Sequence, residues 1–126
     1  MQVYLGNIEI QPNQFFKYDN FNTTVPIRIN FQHDPNTYYT LLIIDEDNPE
    51  PYRIHQLVIN NNITIHEYQP PQPPKNSGPH HYHILILKQD SFINIKNIKR
   101  NSFDPKRFID SYNLKIINSL MFIVEN

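Results

Sequence analysis

The chain reads as an all-β, mostly antiparallel domain. Three observations support that reading: apolar and polar residues alternate at a period of two, short β-branched and aromatic runs are closed by turn-forming residues, and only one stretch carries helix punctuation. A length of 126 residues suits one modest core and is too short for two, so a single domain spanning residues 1–126 is expected. The hydrophobic fraction of 39% is low for a globular chain, but 13% aromatic residues compensate because each Phe or Tyr buries a large area.

Taken in order, Phe15 to Tyr18 reads as a short irregular segment. Val25, Ile27, Ile29 and Phe31 alternate with polar or small residues, as a strand with one buried face does. Tyr38 to Ile44 and Arg53 to Ile59 read as central strands, closed by the turn-forming stretches DEDNPEP and NNN. His81 to Leu87 begins with alternation and ends apolar on both faces, which predicts a strand passing from a rim into a two-sided interior. Before it lies Tyr68 to Gly78, YQPPQPPKNSG, whose prolines forbid a regular ladder. That segment is either a stiff polyproline linker or SH3-type ligand, or the wall of a pocket, and its position alone leaves both open. Asp104 as N-cap, Pro105 at the first helical position, a Phe103–Phe108 staple and Asn113 as a stop predict one helix over Pro105 to Tyr112. Ile116 to Val124 supplies the last strand of a sandwich.

Composition narrows the function. A net charge of −1 with 18% charged residues gives no positive field of the kind that neutralises nucleic-acid phosphates. The absence of cysteine excludes disulfides, thiolate metal sites and thiol nucleophiles, and fits a reducing compartment, so a cytoplasmic address is expected. MQVYLGNIEIQ lacks the basic and apolar regions of a leader, and no run of about 18 apolar residues could form a spanning helix.

Polar residues that strand patterning does not explain gather at three strand ends. Asp45 and Asp47, two apart in an extended segment, point to one side, and His55 interrupts an apolar strand. His80 and Tyr82 project to one face, and His81 and His83 to the other. Each has a plainer explanation: turn chemistry before Pro49 for the aspartates, and a satisfied core histidine for His55. A metal site is a third reading, limited because successive histidines alternate faces, with Asp45 or Asp47 as the remaining ligands. There is no nucleophile elbow or metalloprotease helix motif, and 2 glycines cannot build a phosphate-cradling loop.

The order of motifs resembles the phosphatidylethanolamine-binding protein (Raf kinase inhibitor protein) family. The residues concerned are Tyr39-Thr40-Leu41, Asp45-Glu46-Asp47-Asn48-Pro49, His55-Gln56-Leu57-Val58, Tyr68 to Pro74, Gly78-Pro79-His80-His81-Tyr82, and Arg100 to Phe103. The resemblance implies a large antiparallel sheet packed on a smaller one, in a minimal form of the family. It also implies a cavity lined by Asp45, Asp47, His55, His80 and Tyr82, with Pro49 and Pro74 at its rim and a cis Asn48–Pro49 bond. Imidazole and phenol groups can donate hydrogen bonds to phosphate or carboxylate oxygens, and the carboxylates would orient the histidines. Pro70, Gln72, His81 and Gln56 depart from the family pattern, and Pro70 and Gln72 in place of glycines predict a narrower or altered pocket.

The leading expectation is therefore a non-enzymatic binding module for a small anionic ligand or phospholipid headgroup. It needs no cofactor and no metal, and it acts on a regulatory protein partner such as a kinase. The alternatives are a protein-interaction or virion-associated structural factor with a vestigial pocket, and a His/Asp metal-dependent hydrolase.

Overall fold

Side chains alternate across a strand, so a strand apolar on both faces must lie inside a layered structure and one apolar on a single face must cover it. The computed structural model, which describes residues 1–126, follows that rule. Its elements are β1 (Gln2–Leu5), β2 (Ile8–Glu9), β3 (Gln14–Lys17), β4 (Ile27–Asn30), β5 (Tyr39–Asp45), β6 (Arg53–Ile59), β7 (Ile63–His66), β8 (Pro79–Lys88), α1 (Pro105–Ser111) and β9 (Lys115–Glu125). The small sheet runs β2-β1-β4, and the large one runs β3-β9-β8-β5-β6-β7. Every pairing is antiparallel except β3 with β9.

The central strands β5 and β8 bury both faces, as their apolar runs require. Ile43, Tyr82 and Ile84 pack with Val3, Leu5 and Ile27 of the small sheet and with Phe16, Phe21 and Phe122. Leu42, Ile44, Leu85 and Leu87 turn the other way, against Ile93, Phe103 and Phe108. Each such side chain removed from water contributes about 1.5 to 3 kcal/mol, so these two layers dominate the folding energy.

The helix forms where its punctuation places it. Asp104 Oδ1 accepts from Arg107 N at 3.0 Å, Pro105 opens the first turn, and the Phe103 and Phe108 rings meet at 5.3 Å. Asn113 takes φ 51°, and Leu114 N donates back to Ile109 O at 3.0 Å, closing the helix with a left-handed cap.

Three features differ from expectation. The segment read as irregular at Phe15 to Tyr18 contains strand β3, whose partner β9 lies at the far end of the chain, a pairing that local patterning does not reveal. The β1–β2 hairpin of the small sheet and β7 at the edge of the large one are further short elements that the patterning does not mark. The Asn48–Pro49 bond is trans; the cis peptide joins Pro51 to Tyr52 instead. Tyr52 is fixed by reciprocal backbone hydrogen bonds with Phe103 at 3.0 and 2.9 Å, while Asn48 Nδ2 donates to Glu50 O at 3.0 Å within the turn.

Candidate functional site

A cavity of about 460 Å³ opens where the ends of β5, β6 and β8 meet the proline-rich segment. Asp45 ends β5, Arg53 and His55 begin β6, and His80 and Tyr82 begin β8. Gln69, Pro70, Gln72, Pro73 and Pro74 form the opposite wall, and Asn48 sits at the edge. The proline-rich stretch is therefore a pocket wall, and Pro70 and Gln72 leave the hollow open.

A bulge aims His55. In the β5–β6 ladder Ile43 pairs with Gln56 and Ile44 with Ile54, so His55 has no partner. Ile54 and Leu57 both reach the helix-side core, while His55 and Gln56 both lie on the opposite face. The extra residue thus directs an imidazole into the cavity in the middle of an apolar strand.

Asp45 and His80 form the floor, each almost fully buried, with His80 Nδ1 at 2.7 Å from Asp45 Oδ2. Asp45 Oδ1 accepts from Asp47 N at 2.8 Å, so both carboxylate oxygens are satisfied inside the protein. On its other side His80 Nε2 lies 3.0 Å from Ser77 Oγ, which donates to Pro74 O at 2.6 Å. Gly78, at φ 85°, makes the left-handed turn that returns the chain from Ser77 into β8.

His55 Nδ1 is 2.7 Å from Gln69 O, and Gln69 N donates to His55 O at 2.8 Å, tying the proline wall to β6. Burial pushes the His55 imidazole below its ordinary value, outweighing the Gln69 carbonyl and the Asp45 charge. The ring is therefore neutral at neutral pH, donating through Nδ1 and presenting the Nε2 lone pair as an acceptor. Tyr82 stacks between His80 and Phe122, with centroid separations of 6.4 and 5.3 Å, and meets His55 edge-on at 5.2 Å. Burial, reinforced by the Asp45 charge, pushes its phenol up, so it stays a donor, and its hydroxyl has no protein partner. Burial does the same to Tyr68, whose hydroxyl is enclosed and unpaired.

Because the folded state holds His55 neutral while the unfolded chain titrates near 6.5, its contribution to stability is full above that pH and is lost as the pH falls below it. His55→Asn, whose amide can still donate to Gln69 O, should be less stable than wild type at about pH 7.5, with the gap narrowing by about pH 5. Urea unfolding at both pH values checks this; a constant gap contradicts it.

Asp45, His55, His80, Tyr82 and Pro74 thus come together around one cavity. Asp47 and Pro49 do not line the cavity. Extended alternation ends at Asp45, where the turn begins, so Asp47 swings to the outer face of β8. There its Oδ2 accepts from His81 N and lies 2.7 Å from His81 Nδ1. Burial alone would raise the Asp47 carboxyl, but the two hydrogen bonds from His81 and the neighbouring histidine charges hold it below the usual carboxylate range. Pro49 is exposed on the turn.

Arg53 was not legible as a site residue, because an Arg at the start of a strand reads as an ordinary rim position. Its guanidinium donates to Asn101 Oδ1 at 2.8 Å and Gln69 Oε1 at 2.6 Å, has no carboxylate partner, and gives the cavity a fixed positive charge. Asn48 and Gln69 were likewise unmarked.

The family model described as phosphatidylethanolamine-binding protein matches residues 53–119, more than half the chain and most of the cavity wall. The chain belongs to the phosphatidylethanolamine-binding protein family. The carboxypeptidase Y inhibitor, in the crystal structure of its complex with the cognate proteinase, superposes with a TM-score of 0.77 at 19% identity, over 99% of this chain and 82% of that one. The phosphatidylethanolamine-binding protein from Plasmodium vivax superposes with a TM-score of 0.73 at 16% identity, over 98% and 84%. At these identities the likeness is one of fold: a large sheet packed on a small one.

A 26 kDa secreted antigen of Toxocara canis is 31% identical over 107 residues, covering 68% of this chain and 41% of the relative. The chain thus spans less than two thirds of that relative's length. The cytoplasmic address expected from the lack of cysteine is corrected by this comparison: the related antigen is secreted. A cysteine-free chain suits a reducing compartment but does not require one.

Proposed function

We propose that the chain is a non-enzymatic binding module whose cavity takes a small phosphate-bearing anion, either free or as a phospholipid headgroup. The observation that carries this reading is the convergence of Arg53, His55, His80 and Tyr82 on one hollow whose only carboxylate has both oxygens already occupied by protein partners. Arg53 supplies an uncompensated charge, and the Tyr82 hydroxyl supplies a donor waiting for an acceptor. The neutral His55 Nε2 accepts from a protonated phosphate oxygen or from the ammonium of an ethanolamine group. The walls bear no thiol, and each imidazole is held by a fixed partner rather than by a hydroxyl it could activate, which supports binding over catalysis. Family membership and a secreted relative support a ligand-carrying role outside the cell, in which a regulatory protein partner would meet the rim formed by Gln72 to Pro74.

Calorimetric titration with inorganic phosphate and O-phosphoethanolamine tests the reading. Arg53→Ala should weaken binding about tenfold or more, and Tyr82→Phe about fivefold, reflecting loss of a charge-assisted and a neutral hydrogen bond. Equal affinity in wild type and both variants would remove the cavity from the account.

A further inference from the structure

On the face of β8 opposite the cavity, Glu46, Asp47, His81 and His83 form a second cluster. His81 and His83, two apart on one strand, share that outer face, and the turn after β5 lays two carboxylates across them. His81 Nδ1 is 2.7 Å from Asp47 Oδ2, and His83 Nε2 is 2.6 Å from Glu46 Oε1. Donor atoms of Glu46, Asp47 and His81 all lie within 4.8 Å of one another.

Two features distinguish this cluster from an ordinary solvated charged patch. First, neither Glu46 nor Asp47 pairs with a Lys or Arg, so whenever the histidines are neutral two carboxylates face each other uncompensated. Second, the backbone holds the donors in place: Glu46 N donates to His81 O at 3.0 Å, and His81 N donates to Asp47 Oδ2 at 2.7 Å. Turn and strand cannot part without breaking both bonds.

We infer that Glu46, Asp47 and His81 form a surface site for a divalent transition-series cation of the Zn²⁺ class. Imidazole with two carboxylates suits such an ion, whereas Ca²⁺ asks for six or more oxygens. The ion takes the place of the proton shared between His81 Nδ1 and Asp47 Oδ2; the ring N–H moves to Nε2, leaving Nδ1 free to coordinate. Water fills the open coordination position, and His83 acts as a positioning residue by holding the Glu46 carboxylate. The site lies across the sheet from the anion cavity and shares no ligand side chain with it.

The test is calorimetric titration of the tag-free full chain with ZnCl₂ in chelator-free buffer, with CaCl₂ in parallel. The expected result is saturable 1:1 Zn²⁺ binding with no comparable Ca²⁺ response, weakened about tenfold or more by Glu46→Gln and by His81→Gln. Glu46 is exposed, so its variant keeps the fold and the comparison stands even if His81→Gln is destabilised. Absence of saturable Zn²⁺ binding at millimolar ion, or equal affinity in wild type and Glu46→Gln, overturns the inference.

Discussion

Replacing Asp45 by Ala is expected to cost roughly 3 to 5 kcal/mol of folding stability, because breaking a buried pair strands the surviving partner away from water. Asp45 is 3% exposed and its carboxylate is occupied at both oxygens, one by His80 Nδ1 and one by Asp47 N. Its loss therefore leaves an imidazole facing an empty space and also frees the turn that follows β5. His80→Ala should cost a similar amount. The double variant should cost less than the sum of the two, since with both partners gone neither side chain is left stranded by loss of the other, and the coupling should be about 2 kcal/mol. Urea unfolding of the four proteins measures that coupling directly; additive losses would mean that the short contact contributes nothing specific.

The second large effect lies beneath the site. Phe122 is fully buried, stacks on Phe21 at 5.7 Å and on Tyr82 at 5.3 Å, and meets Phe16 at right angles at 6.2 Å. Phe122→Ala should lose about 4 kcal/mol, the transfer energy of the ring plus the cavity left behind. Because Tyr82 rests on Phe122, the loss should reach the anion site: Tyr82 gains room to tilt, and its hydroxyl no longer has a fixed direction. Phe122→Leu fills much of the space and should recover more stability than ligand affinity, since an aliphatic chain restores volume but not a flat surface for stacking. Parallel recovery of the two would show that stacking does not orient Tyr82.

Much of the large sheet was legible because its strands carry strong local signals. β6 runs from Arg53 to Ile59, as its β-branched run indicates, and α1 starts at Pro105, one residue after its cap. β1, β2, β3 and β7 were not legible, since two to four residues provide too few repeats of a period, and β3 depends on a partner more than a hundred residues away. In the site, His80 and Tyr82 followed from alternation along β8, and the same rule put His81 and His83 on the outer face. The rule failed at Asp47, where the strand had already become a turn. It could not have placed His55, whose direction comes from a bulge that exists only when β5 and β6 pair. Arg53 needed the fold as well: only there does an ordinary strand-initial Arg meet Gln69 and the cavity.

Nuclear magnetic resonance of the histidine and tyrosine rings during titration with O-phosphoethanolamine tests the central claim most directly. The account predicts that the His55, His80 and Tyr82 signals shift together along one saturating curve while His33 and His66 stay still. Unmoved cavity rings at millimolar ligand, in a chain that remains folded, would contradict it.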